Sequence, residues 1–133
     1  MAADLGVVRG RDGAELRHTR TRFLVDCVAA GVLAIDSPYT WTDEEGLAAD
    51  TRWARRHGYT AKSTVTAPHA AGINALLTPD AEEIALAEEV VAAFEAARRE
   101  GAGRVEVRGS LVEVPIYSNA KALLQRATAL GVR

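Results

Sequence analysis

Two charged residues stand where they could serve chemistry. Asp36 ends the apolar run at residues 32–35. Its carboxylate therefore lies at the carboxyl end of a predicted strand, the side on which barrel enzymes place their sites. A turn or cap before Pro38 explains the same residue without any chemistry. Lys62 is one of two lysines and lies within the next predicted strand, where it could bind a phosphate as a point charge or simply face solvent.

Aromatic, imidazole and thiol side chains near these strands are weaker candidates. Tyr39 and Trp41 follow Asp36 in one loop and could face a ligand, although covering the site is the favoured interpretation. His69 is more typical of a cap or a solvated side chain than of a catalyst. Cys27 is the single cysteine, which excludes an internal disulfide and a multi-thiolate zinc site and favours a small buried hydrophobe. The sequence contains no P-loop, GxGxxG, HExxH or GxSxG motif.

Length and charge restrict the class of protein. The 133 residues suit one domain, and 48% apolar with 26% charged residues is a globular composition. Sixteen basic and eighteen acidic residues give a net charge of −2, which excludes a strong basic surface for nucleic acid and gives no reason to expect an anionic membrane partner. Because no leader pattern and no long apolar run is present, we expect a cytoplasmic protein.

Apolar periodicity and chain breakers predict alternating strands and helices, followed by two helices, a hairpin and a last helix. A pair of parallel strands is too small to be stable, so the sequence predicts part of a larger α/β fold. We expect the first helix to be buried on more than one side, the first strand on both faces, and the Arg20/Arg22 pair to be solvated. Asp80 with Glu83 predicts a capping box. The predicted helices cover residues 14–30, 44–57, 69–77, 81–100 and 115–130, and the predicted strands cover residues 32–35, 59–65, 104–107 and 111–114.

A series of motifs at fixed intervals resembles the citrate lyase beta-subunit / HpcH-HpaI aldolase family of CoA-ester carbon–carbon lyases. The clearest part runs from Ala34 to Lys62, through Asp36-Ser37-Pro38, the acidic run at residues 43–45 and the basic run at residues 55–57. The similarity extends over essentially the whole chain. Its other parts are residues 2–6, Arg20 and Arg22, Ile73-Asn74, residues 77–79 and 82–84, and the segment 109–115.

The resemblance implies a fold of the α/β class, the C-terminal part of a (β/α)8 TIM barrel with a helical and hairpin lid. Residues 1–79 would supply the last two strands with their helices, and residues 80–133 the lid, with no independent second domain. Family members cleave or form 3-hydroxyacyl-CoA thioesters such as malyl-CoA, citramalyl-CoA or citryl thioesters, using Mg²⁺ held by a Glu and an Asp. Those two ligands would both precede Met1, so none is expected in this chain, and Asp4 is not one of them.

The resemblance also implies roles for individual residues. Glu113 matches the lid acid, usually Asp, which reaches a neighbouring subunit's site and transfers a proton. A carboxylate closed into an apolar lid would have a raised pKa, which suits that role. Strand alternation between Val112 and Val114 explains the same residue without function. Asp36 is the second catalytic candidate. Lys62 and Tyr39 are the candidates for binding CoA.

Two functions remain open at this point. The chain is either a truncated CoA-ester lyase that takes an acyl-CoA thioester, or a non-catalytic fragment or assembly partner of a full-length homologue. We expect the chain alone to be inactive. We also expect it to form homo-oligomers or to bind the missing barrel half, since the edges of its sheet are open.

Overall fold

The computed structural model describes residues 3–133, so the first residue of the family-like run at residues 2–6 lies outside the described part. The chain divides into two compact units, of which one ends at Leu77 and the other runs from Thr78 to Arg133. Each unit has its own buried core. The assignment of a barrel segment and a lid to residues 1–79 and 80–133 stays a prediction.

The first unit contains three helices and two short strands. A 3-10 turn at Ala14–Leu16 leads into α1, and two of the helices each follow a strand. The strands β1 and β2 are parallel, with Ile35 opposite Ala61 and Asp36 opposite Lys62. The predicted parallel pairing is therefore confirmed, although each strand has only two residues. The elements are α1 (Arg17–Ala29), β1 (Ile35–Asp36), α2 (Glu44–His57), β2 (Ala61–Lys62) and α3 (Ala67–Leu77).

Local sequence signals explain where α2 begins and ends. The Asp43 carboxylate caps the helix by accepting a hydrogen bond of 2.8 Å from the backbone nitrogen of Gly46. Gly46 itself must lack a side chain, because a Cβ there would overlap the Tyr39 hydroxyl. At the other end Gly58 adopts φ 106°, the left-handed conformation that glycine tolerates best.

Two expectations about burial in the first unit are wrong. On α1, Phe23, Val25 and Val28 are exposed, and the buried residues are Arg20 and Cys27. The run at residues 32–35 is not buried on both faces either, since Val32, Leu33 and Ile35 are more than half exposed. Both errors have one cause: apolar character favours burial, but burial also needs an element that packs over the side chain, and these side chains stay exposed among the described residues. The prediction that Cys27 is buried is confirmed.

The second unit is a helical pair with a hairpin between its helices. Its elements are α4 (Ala81–Arg99), β3 (Val105–Val107), β4 (Ser110–Val112) and α5 (Val114–Ala129). The capping box of Asp80 and Glu83 is present, as predicted. Arg108 and Gly109 both have positive φ, which suits the tight two-residue turn of a hairpin. The core joins one face of α4 to both strands and α5, through Ala87, Val90, Phe94, Val107, Val112, Ala120 and Leu124.

No helix in the described part of the chain is both long enough and apolar enough to cross a membrane.

Candidate functional site

Four charged side chains meet beneath the two parallel strands. Asp36 from β1, Lys62 from β2, Arg20 from α1 and Asp50 from α2 form this charged cluster. The side chains are at most 9% exposed. Two positive and two negative groups give a neutral set. Each charge is paired, as burial requires.

Asp36 is at the centre of the cluster. Its two carboxylate oxygens accept hydrogen bonds from Arg20 Nε at 2.8 Å and Arg20 Nη2 at 2.6 Å, a bidentate arrangement. Lys62 Nζ donates to the second oxygen at 2.8 Å. Because both partners lie on the helix-covered side of the sheet, the Asp36 carboxylate faces the helices. A direct catalytic role for Asp36 stays a prediction.

Lys62 has an acceptor for each of its three N–H bonds. Besides Asp36, Nζ donates to Asp50 Oδ2 at 2.5 Å and to the Ser37 carbonyl oxygen at 2.6 Å. The bond to Ser37 ties the end of β2 to the loop after β1. A phosphate contact by Lys62, which stays a prediction, would have to replace one of these bonds.

Arg20 corrects the expectation of a solvated pair. The residue is 3% exposed, and its Nη1 donates to Asp50 Oδ1 at 2.8 Å while the guanidinium lies 4.1 Å from the centre of the Trp53 ring. Burial lowers the pKa of Arg20, but the hydrogen bonds that Arg20 donates to Asp36 and Asp50, with the charges of these carboxylates, outweigh it, so the pKa is raised overall. Arg22 is solvated, as expected, and pairs with Asp26.

A sequence signal for Arg20 existed. Leu24 and Cys27 pack in the first unit's core, and Arg20 precedes them by four and seven residues, on the same helical face. An arginine on an apolar face predicts a buried acidic partner. Asp50, which pairs with Arg20 from α2, carries a comparable signal, because it lies three residues after the buried Leu47 and four before the buried Ala54.

Tyr39 fills a buried position in the loop after β1. The residue is 2% exposed and packs with Leu47, Ile73 and Leu77, with Trp41 against the same cluster. Its hydroxyl donates to Asp43 Oδ2 at 2.8 Å. Burial and this bond raise the pKa of Tyr39, while the Tyr39 hydroxyl and the Gly46 amide lower the pKa of Asp43. These contacts suit the covering role; binding of CoA by Tyr39 stays a prediction.

His69 is neither a cap nor solvated, which corrects that expectation. Helix α3 begins at Ala67, before the predicted start, and carries His69 into the interior, where it is 6% exposed. Its ring lies 6.5 Å from the Tyr39 ring, centre to centre. Pro68 suits the first turn of α3, where a proline needs no hydrogen-bond donor.

Glu113 belongs to the second unit, whereas the residues just described belong to the first. It stands at the N-cap of α5, is exposed, and makes no side-chain cap hydrogen bond. The apolar side chains around it are also exposed, namely Leu111, Val114 and Ile116. The structure thus brings Asp36, Lys62 and Tyr39 into one unit and leaves Glu113 in the other.

Among residues 3–133, no group of three or more His, Cys, Asp or Glu side chains is placed to hold a metal ion. The buried carboxylates of Asp36 and Asp50 are occupied by the cations of Arg20 and Lys62.

Comparison with known proteins identifies relatives along almost the whole chain. The mitochondrial citramalyl-CoA lyase of Mus musculus is 31% identical over 96% of this chain, and citrate lyase subunit beta of Leuconostoc mesenteroides subsp. cremoris is 32% identical over 95%. The chain spans only 38% and 42% of the length of these two proteins. No protein-family model matches.

A solved structure agrees with the sequence relatives. CitE from Mycobacterium tuberculosis, in complex with magnesium, acetoacetate and coenzyme A, superposes with a TM-score of 0.77 and 30% identity. The alignment covers 96% of this chain and 49% of that one. The resemblance predicted from the sequence motifs is therefore confirmed.

We expect Asp36→Asn to destabilise the first unit by about 3–5 kcal/mol, because the variant keeps the shape of the side chain and leaves buried cations without their carboxylate. Urea unfolding followed by fluorescence measures this, since both tryptophans, Trp41 and Trp53, lie in the first unit. Asp26→Asn is the control, because its exposed pair with Arg22 contributes about 0.3–0.5 kcal/mol. Adding Lys62→Met to Asp36→Asn should recover part of the loss. Equal free energies of unfolding for Asp36→Asn and Asp26→Asn would contradict a structural role for the cluster.

Tyr59 should make stability depend on pH in the alkaline range. Its hydroxyl donates to the Arg20 carbonyl oxygen at 2.7 Å, and burial, with the nearby Asp36 charge, raises the pKa of Tyr59 to about 12, from 10.0. Since the folded state holds this proton more tightly, its contribution to stability is complete below pH 10 and is lost as the pH rises towards 12.

Urea midpoints at about pH 9 and about pH 11.5 measure this loss. We expect Tyr59→Phe to show a smaller decline between the two pH values than the parent chain. Tyr117→Phe, in the second unit, is the matched control and should decline as the parent does. An unchanged decline in Tyr59→Phe would show that other groups cause it.

Proposed function

Since the chain is homologous to citrate lyase beta subunits and citramalyl-CoA lyases, we propose that it is part of a CoA-ester carbon–carbon lyase. The reaction is the retro-Claisen or aldol-type cleavage of a 3-hydroxyacyl-CoA such as malyl-CoA, citramalyl-CoA or a citryl thioester. One observation carries the proposal: proteins with these activities in their names match 95–96% of this chain at 31–32% identity. Because the chain spans less than half of each, the whole reaction needs polypeptide that this chain does not contain.

The proposed architecture is the end of a (β/α)8 barrel followed by a lid. The parallel pairing of β1 with β2, each followed by a helix, supports the barrel segment. The separate core of the second unit, with its hairpin and two helices, supports a lid that folds around its own apolar residues. In the complete enzyme such a lid would present Glu113 to a site formed elsewhere.

Magnesium is the cofactor that the resemblance implies, and the described residues do not fit it. They contain no set of three candidate ligands, and the carboxylates of Asp36 and Asp50 are neutralised by Arg20 and Lys62. A hard divalent cation needs oxygen ligands that are free to coordinate it. The chain alone is therefore inactive in this proposal.

Glu113 is the residue of this chain proposed to transfer a proton. Its carboxylate is exposed, and the surrounding Leu111, Val114 and Ile116 would exclude water once this surface closes on a second surface. Asp36 and Lys62 act through position, because their contacts hold β1, β2 and the loop at Ser37 in place. Tyr39 and Lys62 lie near that loop, on the proposed CoA side.

A non-catalytic assembly partner is the alternative function. The lack of a metal-ligand set among residues 3–133 and the exposed apolar residues of β1 favour it for the chain in isolation. Both functions require binding to a larger homologous polypeptide, and only the first requires that the complex turn over substrate.

Cleavage of malyl-CoA and citramalyl-CoA by the purified chain, followed as free keto acid with and without magnesium, separates the two functions. We expect no turnover by the chain alone, and turnover when a polypeptide supplying the remaining part of a relative is added. Magnesium-dependent turnover by the chain alone would contradict the account of the metal. No turnover in a complex that demonstrably forms would favour the non-catalytic partner.

Glu113→Gln should lower kcat of the active mixture by about 10²-fold or more, as expected for loss of a general acid or base. The free energy of unfolding of this variant should stay unchanged, because the Glu113 side chain is exposed and makes no cap hydrogen bond. Glu106→Gln, at an exposed glutamate of β3, is the control and should keep full activity. Equal activity of both variants would remove Glu113 from the mechanism.

A further inference from the structure

A cavity of about 630 Å³ lies between α2 and α3 of the first unit, and we call it the α2–α3 groove. On α2 the lining residues Glu44, Ala48 and Arg52 are four positions apart, so they form one row along the helix. At a rise of 1.5 Å per residue this row is about 12 Å long. Arg55 joins the two helices, since its Nη1 donates to the Leu76 carbonyl oxygen at 2.9 Å. The floor of the groove is made of small or aliphatic residues, namely Leu47, Ala48, Ala71, Gly72, Ala75 and Leu76.

The buried imidazole of His69 also lines the α2–α3 groove. The residue is 6% exposed, and its Nδ1 has no hydrogen-bond partner among the described residues. A buried polar atom without a partner is unfavourable and calls for an explanation, such as a group supplied from outside the chain. An unprotonated Nδ1 accepts a hydrogen bond. The groove therefore offers an acceptor to a donor group of a bound molecule.

Two side chains of opposite charge stand in the row on α2. Glu44 and Arg52 are exposed, and within residues 3–133 neither side chain has an ion-pair or hydrogen-bond partner. Because β1 and β2 are parallel and each precedes one of the two helices, α2 and α3 begin at the same end of the sheet. Glu44, the first residue of α2, and His69, the third of α3, thus lie at one end of the groove, and Arg52 lies towards the other.

The groups at the two ends define the chemistry of a ligand. An ammonium group has three N–H donors, for which the acceptors are the Glu44 carboxylate, His69 Nδ1 and the hydroxyl of Thr42 or Thr66, both of which line the groove. The Arg52 guanidinium suits a carboxylate, which it can bind through two parallel hydrogen bonds. The apolar floor between the ends suits methylene groups. An anion alone would leave Glu44 unpaired and a cation alone would leave Arg52 unpaired, whereas a zwitterion satisfies both.

We propose that the α2–α3 groove binds a linear ω-amino acid. The amine lies at the end formed by Glu44 and His69, the carboxylate lies at Arg52, and the methylene chain covers the apolar floor. The inference does not rest on the proposed function, because binding to this chain requires no turnover of a CoA ester.

Calorimetric titration of the full chain with 8-aminooctanoate tests the proposal, with octanoate and octylamine as probes that each lack one charged end. We expect one site with a Kd of about 1 mM or lower for 8-aminooctanoate, and a Kd about fivefold higher for each of the other two probes. Glu44→Gln should raise the Kd of 8-aminooctanoate to that of octanoate, and Arg52→Gln should raise it to that of octylamine. Glu45→Gln and Arg56→Gln, at exposed positions of α2 outside the groove, are the matched controls and should bind as the parent does.

The ring nitrogens of His69 give a second measurement by NMR. The chain has three histidines, so substitution of His18 and of His57 assigns the three sets of ring signals. On addition of 8-aminooctanoate we expect the Nδ1 signal of His69 to shift, because Nδ1 gains a hydrogen-bond partner. The signals of His18 and His57 should stay in place.

The four variants of α2 should melt at the temperature of the parent, since the substituted side chains are exposed. Absence of binding would overturn the proposal, and so would equal weakening by the two control variants or an unchanged Nδ1 signal of His69. If octanoate or octylamine bound as tightly as 8-aminooctanoate, the ligand would be held by apolar contact alone, and the proposed recognition of both charges would be wrong.

Discussion

The first unit depends on one buried carboxylate. Asp36 accepts hydrogen bonds from Arg20 and Lys62 and through them connects α1, β1 and β2. Removing such a group from water costs several kcal/mol, which only good geometry and full pairing offset. Asp50 completes the pairing from α2. The charged cluster thus joins α1, β1, α2 and β2. It also helps to keep two strands of only two residues each in register, although few backbone hydrogen bonds connect them.

The charged cluster also bears on the roles expected for Asp36 and Lys62. A lysine and an aspartate at strand ends suggest binding and catalysis when they are considered one at a time. Together they neutralise each other, and their side chains lie on the helix-covered face of the sheet. Positioning the loop at Ser37 is the role that the contacts support, while Glu113, exposed in the second unit, keeps its carboxylate available for another molecule.

The two sides of the sheet formed by β1 and β2 differ in burial and polarity. The helix-covered side is complete, with every charge of the cluster paired, whereas the other side exposes Leu33 and Ile35. The chain spans less than half the length of these relatives, and within residues 3–133 the exposed apolar side chains of β1 lie beside a strand edge that pairs with no other strand. The proposed lyase chemistry rests on the similarity to these relatives, and it needs the part of them that has no counterpart here.

Local sequence signals are enough to predict the order and type of the helices and strands. Helix caps at Asp43 and Asp80 and the turn at Arg108-Gly109 are local signals, because each depends on residues within a few positions. The face of α4 that packs was also predictable from its 3.6-residue period, as was the resemblance to CoA-ester lyases from motif spacing. Which residues of the first unit are buried or paired depends instead on tertiary packing. The bonds within the charged cluster join residues 12 to 30 positions apart in sequence, and His69 enters the interior, because packing brings together elements that are distant in sequence.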